Sequence, residues 1–127
     1  MKEAMLVMLF GGAGTLSRWG IGRWTRHLWG DRFPYGTLVV NVVGCLVFGF
    51  AMSLFLEETR LSRPLQTAIT VGFLGAFTTF STFGYETFAF AREGAWLHAA
   101  GNATANFVLG LIAIGAGILV ARIVVSA

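Results

Sequence analysis

Four long apolar stretches constrain this chain more than any other feature of its sequence. They cover residues 4–22, 37–56, 65–91 and 95–121, and only short polar segments separate them. A helix that crosses a bilayer needs about 20 predominantly apolar residues. Since the chain has 127 residues, 56% of them hydrophobic and only 12% charged, four such helices use most of it. We therefore expect an all-α membrane protein with one membrane domain, residues 1–127, and four transmembrane helices.

The basic residues stand at the ends of the apolar stretches, although the net charge is +3. This placement is typical of membrane anchors, whose charged ends reach the headgroups. The sequence therefore predicts membrane lipid as a partner, and no nucleic acid.

The distribution of Lys and Arg predicts the orientation of the helices. Four spans place both chain ends on one side of the membrane. The basic residues on that side are Lys2, Arg60, Arg63 and Arg122. Those on the other side are Arg18, Arg23, Arg26, Arg32 and Arg92. Because a bias of Lys and Arg sets orientation and this one is nearly balanced, we predict insertion in both orientations. Such dual topology allows an antiparallel homodimer; a monomer with one orientation remains the alternative.

The third apolar stretch carries hydroxyl side chains near its middle: Thr78, Thr79, Ser81 and Thr82. Together with Gly75 upstream, they indicate a site where a membrane helix can break, because side chains can bind the freed backbone groups. Freed carbonyls bind cations, and freed amides face anions. The alternative is an unbroken helix in which each hydroxyl bonds to a backbone carbonyl.

Two aromatic rings lie within this polar run. Phe80 and Phe83 are three residues apart and would share a helix face. Ring edges carry partial positive charge and can face an anion without holding it as tightly as a full charge would. Packing in the core is the alternative role for either ring.

Other polar residues interrupt the remaining stretches. Asn41 lies in the second, and Asn102 and Asn106, four apart, form a stripe on the fourth. Their amides can bond between helices or contact an anion. Arg18 can anchor the first helix or make an electropositive vestibule. Glu86 lies near the end of the third stretch, where it can reach the interface or pair with a basic residue.

Several of these segments together resemble the Fluc (CrcB) family of bacterial fluoride channels. The resemblance covers essentially the whole chain and rests on residues 11–14 with Arg18-Trp19, on 36–41, on 72–75, and on 78–83 with Glu86. The string of residues 78–83 in a third membrane helix is its most specific part.

The resemblance implies a passive, fluoride-selective channel in the bacterial inner (cytoplasmic) membrane, and not an enzyme. It implies a dual-topology homodimer with two antiparallel pores and a broken third helix. A structural sodium ion would be held by the carbonyls of Gly75 and Thr78, and Arg18 would lie in the vestibule. The residues implied along the fluoride path are Phe80, Phe83, Asn41, Ser81, Thr82, Asn102 and Asn106. Family members often carry Tyr or Ser on the fourth helix, where this chain has the two asparagines.

Two other functions are compatible with four short spans. A proton-coupled drug exporter needs a membrane-embedded carboxylate, and Glu86 is the one candidate. A membrane subunit without transport activity would need no polar residues at mid-span, so the asparagines and hydroxyls argue against it.

Overall fold

The computed structural model describes residues 1–57 and 61–126, and this part of the chain is helical, with no strand. The helices are α1 (Lys2–Trp29), α2 (Tyr35–Glu57), α3 (Arg63–Thr67), α4 (Gly75–Phe77), α5 (Phe80–Arg92) and α6 (Trp96–Ser126), with a π-helical segment (Ala68–Leu74) between α3 and α4. Arg60, which enters the charge count above, lies outside the described residues.

Four helical stretches are long and apolar enough to cross a membrane. They are Lys2–Trp29, Tyr35–Leu56, Arg63–Arg92 and Trp96–Ser126. The sequence-based prediction of an all-α protein with four such helices is confirmed. The first helix continues past Gly22, so the basic and aromatic residues that follow it are helical as far as Trp29.

Glycines bring α2 and α6 into direct contact. A side chain at Gly49 would collide with the backbone of Ile114, and one at Gly117 would collide with the backbone of Leu46. Close approach through small residues is the usual way for membrane helices to pack, because lipid chains provide no hydrophobic drive between them. The two most apolar helices therefore form the central pair of the bundle.

The third stretch divides its contacts between two neighbours. Its first half packs on α1, where Gly14 meets Phe73 and Gly72 meets Val7. Its second half, α5, packs on α6 instead. The change of neighbour coincides with the end of α4 at Phe77 and the start of α5 at Phe80.

Candidate functional site

Two residues with extended backbone separate α4 from α5. Thr78 has φ −82° and ψ 162°, and Thr79 has φ −152° and ψ 116°. Thr79 is the N-cap of α5, and its hydroxyl accepts a hydrogen bond from the backbone N–H of Thr82 at 3.2 Å. Threonine suits this position because its side-chain oxygen replaces a missing helical partner. The run of hydroxyl residues therefore contains the N-cap residue at which α5 begins.

Asn41 on α2 binds both backbone groups of Thr79. Its Oδ1 accepts from the Thr79 N–H at 2.8 Å, and its Nδ2 donates to the Thr79 carbonyl at 3.1 Å. In a continuous helix that N–H would donate to the carbonyl of Gly75. One amide side chain thus substitutes for the helical partners of the buried residue Thr79, whose backbone groups would otherwise carry a large desolvation cost.

A chain of hydrogen bonds leads from Asn41 into α6 and α5. The second Nδ2 bond of Asn41 goes to Asn106 Oδ1 at 2.9 Å, and Asn106 Nδ2 donates to Asn102 Oδ1 at 3.0 Å. Asn102 is fully buried and donates to the Thr87 hydroxyl at 2.8 Å, which in turn donates to the Phe83 carbonyl at 2.8 Å. The three asparagines singled out in the sequence therefore belong to one network. Thr87, which sequence reasoning missed, ends it.

The two phenylalanines lie at the start of α5. Their ring centroids are 5.5 Å apart, with an angle of 58° between the planes, so an edge of one ring approaches the other. Phe80 is 81% exposed, whereas Phe83 is half-buried. A cavity of about 320 Å³ opens beside them. Its lining residues are Asn41, Gly44, Cys45, Phe48, Thr78, Thr79, Phe80, Phe83, Asn106, Phe107 and Ile114.

The hydroxyls of Ser81 and Thr82 lie beside the hydroxyl of Thr79. Both residues are exposed, and the Thr79 hydroxyl donates to Thr82 Oγ1 at 2.9 Å. Because Thr82 accepts that bond, its own hydroxyl proton is available to another acceptor. Ser81 Oγ lies 3.5 Å from Thr79 Oγ1.

Arg18 reaches the same interruption from α1. Its Nη1 donates to the Thr78 carbonyl at 3.3 Å, and the residue is half-buried. A guanidinium on a freed carbonyl indicates that this oxygen is a favourable position for positive charge. Among the described residues, no group of three His, Cys, Asp or Glu side chains could hold a metal ion. A cation near Thr78 would therefore depend on backbone carbonyls.

Glu86 faces a second cavity, of about 410 Å³, at the end of the bundle where α1 meets α2. Its Oε1 accepts from the Thr37 hydroxyl at 2.9 Å, while its Oε2 is buried without a partner. Glu86 therefore contacts a threonine hydroxyl and not a basic side chain. Thr82 lines this second cavity, whereas Phe80 and Phe83 line the first. The start of α5 therefore lies between the two cavities. Sequence reasoning did not single out Thr37.

Comparison with known proteins shows the family of this chain. A family model described as "CrcB-like protein, Camphor Resistance (CrcB)" matches residues 5–118. A relative from Pelobacter propionicus named "Fluoride-specific ion channel FluC" is 40% identical over 126 residues, 99% of this chain and 98% of that protein. Relatives of the same name from Dehalococcoides mccartyi and Trichlorobacter lovleyi are 44% identical over 117 residues and 43% identical over 122. These alignments cover 92% and 96% of this chain, and 90% and 98% of the relatives.

Proposed function

The chain belongs to the CrcB-like family, and we propose that it is a fluoride-selective channel. It conducts fluoride passively across the bacterial cytoplasmic membrane, with no covalent step. The relatives named above carry the name of an ion channel, in agreement with the expectation that the chain is not an enzyme. The observation that carries the proposal is the interruption at Thr78–Thr79, where amides, hydroxyls and aromatic rings meet beside one cavity.

Fluoride needs hydrogen-bond donors to replace the water that it loses in a narrow path. The candidate donors are the amides of Asn41 and Asn106 and the hydroxyls of Ser81 and Thr82, with Asn102 behind them. Thr82 has a free hydroxyl proton, whereas both Nδ2 bonds of Asn41 are already engaged. An ion at Asn41 must therefore replace an acceptor such as Asn106 Oδ1. Such an exchange of acceptors lets an ion enter without being trapped.

The phenylalanine rings would cover the ion where no amide reaches it. The edges of Phe80 and Phe83 present partial positive charge, which stabilises an anion without pairing it with a cation. Chloride is larger than fluoride and would be rejected by a narrow pore of fixed packing.

A second, antiparallel copy of the chain would complete two pores. Phe80 is 81% exposed and lies beside an open cavity, and both features suit a partner surface. Since Lys and Arg are nearly balanced between the two sides, copies of both orientations would be available to pair.

A sodium ion on the axis of this dimer would use the carbonyls of Gly75 and Thr78. The geometry fits such an ion. The usual helical donor to Gly75, the Thr79 N–H, bonds to Asn41 instead, and the Thr78 carbonyl already accepts from a cationic side chain. The cation would hold the interrupted helices and offset repulsion between anions.

The direct test is ion efflux from liposomes that contain only the purified chain. A fluoride electrode should record rapid release, while a parallel chloride measurement stays at the level of empty liposomes. Fluoride release no faster than from empty liposomes, by protein that elutes as a folded species, would exclude a channel made by this chain alone. Release that requires a proton gradient would instead support an exporter acting through Glu86.

A further inference from the structure

The outward face of α1 changes from apolar to aromatic to basic along its length. Leu9, Leu16, Trp19 and Arg23 recur at helical spacing and share this face, with Met5 one turn before them. All five residues are exposed. The buried residues of α1, Gly14 and Thr25, lie on other faces. No described helix covers this face of α1, and α1 contributes no residue to the open cavity beside Phe80 where the second copy is proposed to pack.

Trp19 and Arg23 form a pair on this face. The guanidinium carbon of Arg23 lies 5.2 Å from the centroid of the Trp19 ring, within the range of a cation–π contact. Trp19 itself is 62% exposed. The ring holds the guanidinium in place, and the N–H groups at the edge of the guanidinium plane remain able to bind an acceptor.

The length of α1 places Arg23 at the depth of lipid phosphates. A helix rises about 1.5 Å per residue, so Lys2 and Arg23 are separated by about 32 Å along α1. The hydrocarbon core of a bilayer is about 30 Å thick. Trp24 and Trp29 lie near the same end of α1, are exposed and contact each other, as expected of an interfacial aromatic belt.

Within the part of the chain that the structure describes, no acidic side chain forms a salt bridge with Arg23. The one salt bridge within residues 1–57 and 61–126 joins Arg26 Nε to Asp31 Oδ1 at 3.7 Å, one turn further along. The neighbouring acid is therefore occupied by Arg26. A lipid with a net negative headgroup matches the uncompensated positive charge of Arg23. A zwitterionic lipid matches it less well, because its own ammonium group places a second positive charge beside the guanidinium.

We propose that Trp19 and Arg23 form a binding site for one anionic phospholipid, distinct from the ion path. The guanidinium of Arg23 binds the phosphate oxygens, the Trp19 ring supports it from below, and the acyl chains lie along Leu16 and Leu9. A single charge contact at a membrane surface corresponds to about fivefold in affinity. The site therefore discriminates between lipids by headgroup charge and not by acyl chain.

Native mass spectrometry of the purified protein in detergent tests this site directly. Phosphatidylglycerol and phosphatidylcholine with identical acyl chains are titrated separately. The parent should retain the first phosphatidylglycerol about fivefold more tightly than the first phosphatidylcholine. Arg23→Gln should remove this preference, and Trp19→Leu should weaken it. Equal retention of both lipids by the parent would overturn the proposal.

Arg32→Gln is the matched control, because Arg32 is exposed at the same end of the molecule and makes no ring contact. It removes the same charge and should leave the preference intact. A loss as large as that in Arg23→Gln would mean general attraction to a basic surface and would also overturn the site. Melting temperatures in phosphatidylcholine alone should agree among all variants, since each substituted side chain is exposed.

Discussion

Asn41 connects the structural and the functional parts of the site within one side chain. It accepts from the Thr79 N–H, donates to the Thr79 carbonyl and donates to Asn106. An aliphatic residue could not satisfy the interrupted backbone, and a hydroxyl could not bind both groups of Thr79 while also reaching Asn106. The requirement for one acceptor and two donors in one plane selects an amide.

Asn41→Asp separates these roles, because the carboxylate keeps an acceptor for the Thr79 N–H but has no donor. Its second oxygen would face the Thr79 carbonyl and Asn106 Oδ1, and its charge would repel fluoride. We expect fluoride efflux from liposomes to fall at least about fivefold, since a buried polar group left without its partner costs about 1–3 kcal/mol. Cys45→Ala, in the same cavity, should conduct as the parent does. An Asn41→Asp variant with parental efflux would show that this amide is not on the ion path.

At this scale, polarity at mid-span was sufficient to identify Asn41, Asn102 and Asn106 but not their partners. A polar side chain in an apolar stretch is visible in a sequence, whereas the residue that it meets depends on the rotation of two helices. Thr37 and Thr87 illustrate the limit. A single threonine in a membrane helix usually bonds to its own backbone, so nothing in the sequence distinguished the contacts with Glu86 and Asn102.

Among the helices, the closest contact is between α2 and α6. The four apolar stretches were evident from hydropathy, but the pairing of α2 with α6 was not, because both helices are apolar around most of their circumference, apart from Asn41 and the stripe of Asn102 and Asn106. Gly49 and Gly117 allow the contact because each lies against the backbone of the other helix. The sequence alone does not distinguish them from the other glycines. Gly115, two residues away, has nothing within 4 Å of the position that a side chain would occupy.

Gly117→Ala should therefore destabilise the bundle, since the added methyl group would collide with the backbone of α2 at Leu46 and Phe50. Neither helix can yield without losing other contacts, and overpacking of this kind costs about 1–3 kcal/mol. The measurement is the thermal midpoint in detergent, followed by loss of the folded elution peak. Gly115→Ala provides the control and should melt with the parent. Equal midpoints for the two variants would mean that α2 and α6 are not in backbone contact.

At the scale of the whole molecule, one chain leaves the candidate site open on one side. Phe80 is exposed, and the cavity beside it is lined by α2, α5, α6 and the interruption at Thr78–Thr79. An aromatic ring on an ion path needs a wall opposite it, because lipid chains would otherwise fill the space. Within the proposed function, that wall is a second copy in the opposite orientation.

Shifting the balance of Lys and Arg tests this arrangement. Ser62→Arg and Ser126→Arg, combined with Arg32→Gln and Arg92→Gln, change the count from four against five to six against three, and Lys2→Gln with Arg122→Gln changes it to two against five. Each combined variant should insert in one orientation, because the bias and not the net charge sets topology. Expressed alone, each should lose most fluoride efflux, since antiparallel partners are missing. Co-expression should restore efflux to near the parental rate, as copies of opposite orientation can pair again.

Folding of each variant in detergent is the control for damage to the protomer. All six positions are exposed and distant from the interruption at Thr78–Thr79, so each variant should fold and elute like the parent in detergent. If efflux stays at the parental level when each variant is expressed alone, with a topology reporter showing one orientation, the pores need no antiparallel partner. The open face beside Phe80 would then be covered by a parallel copy or by lipid, and the symmetry of the proposed channel would be wrong.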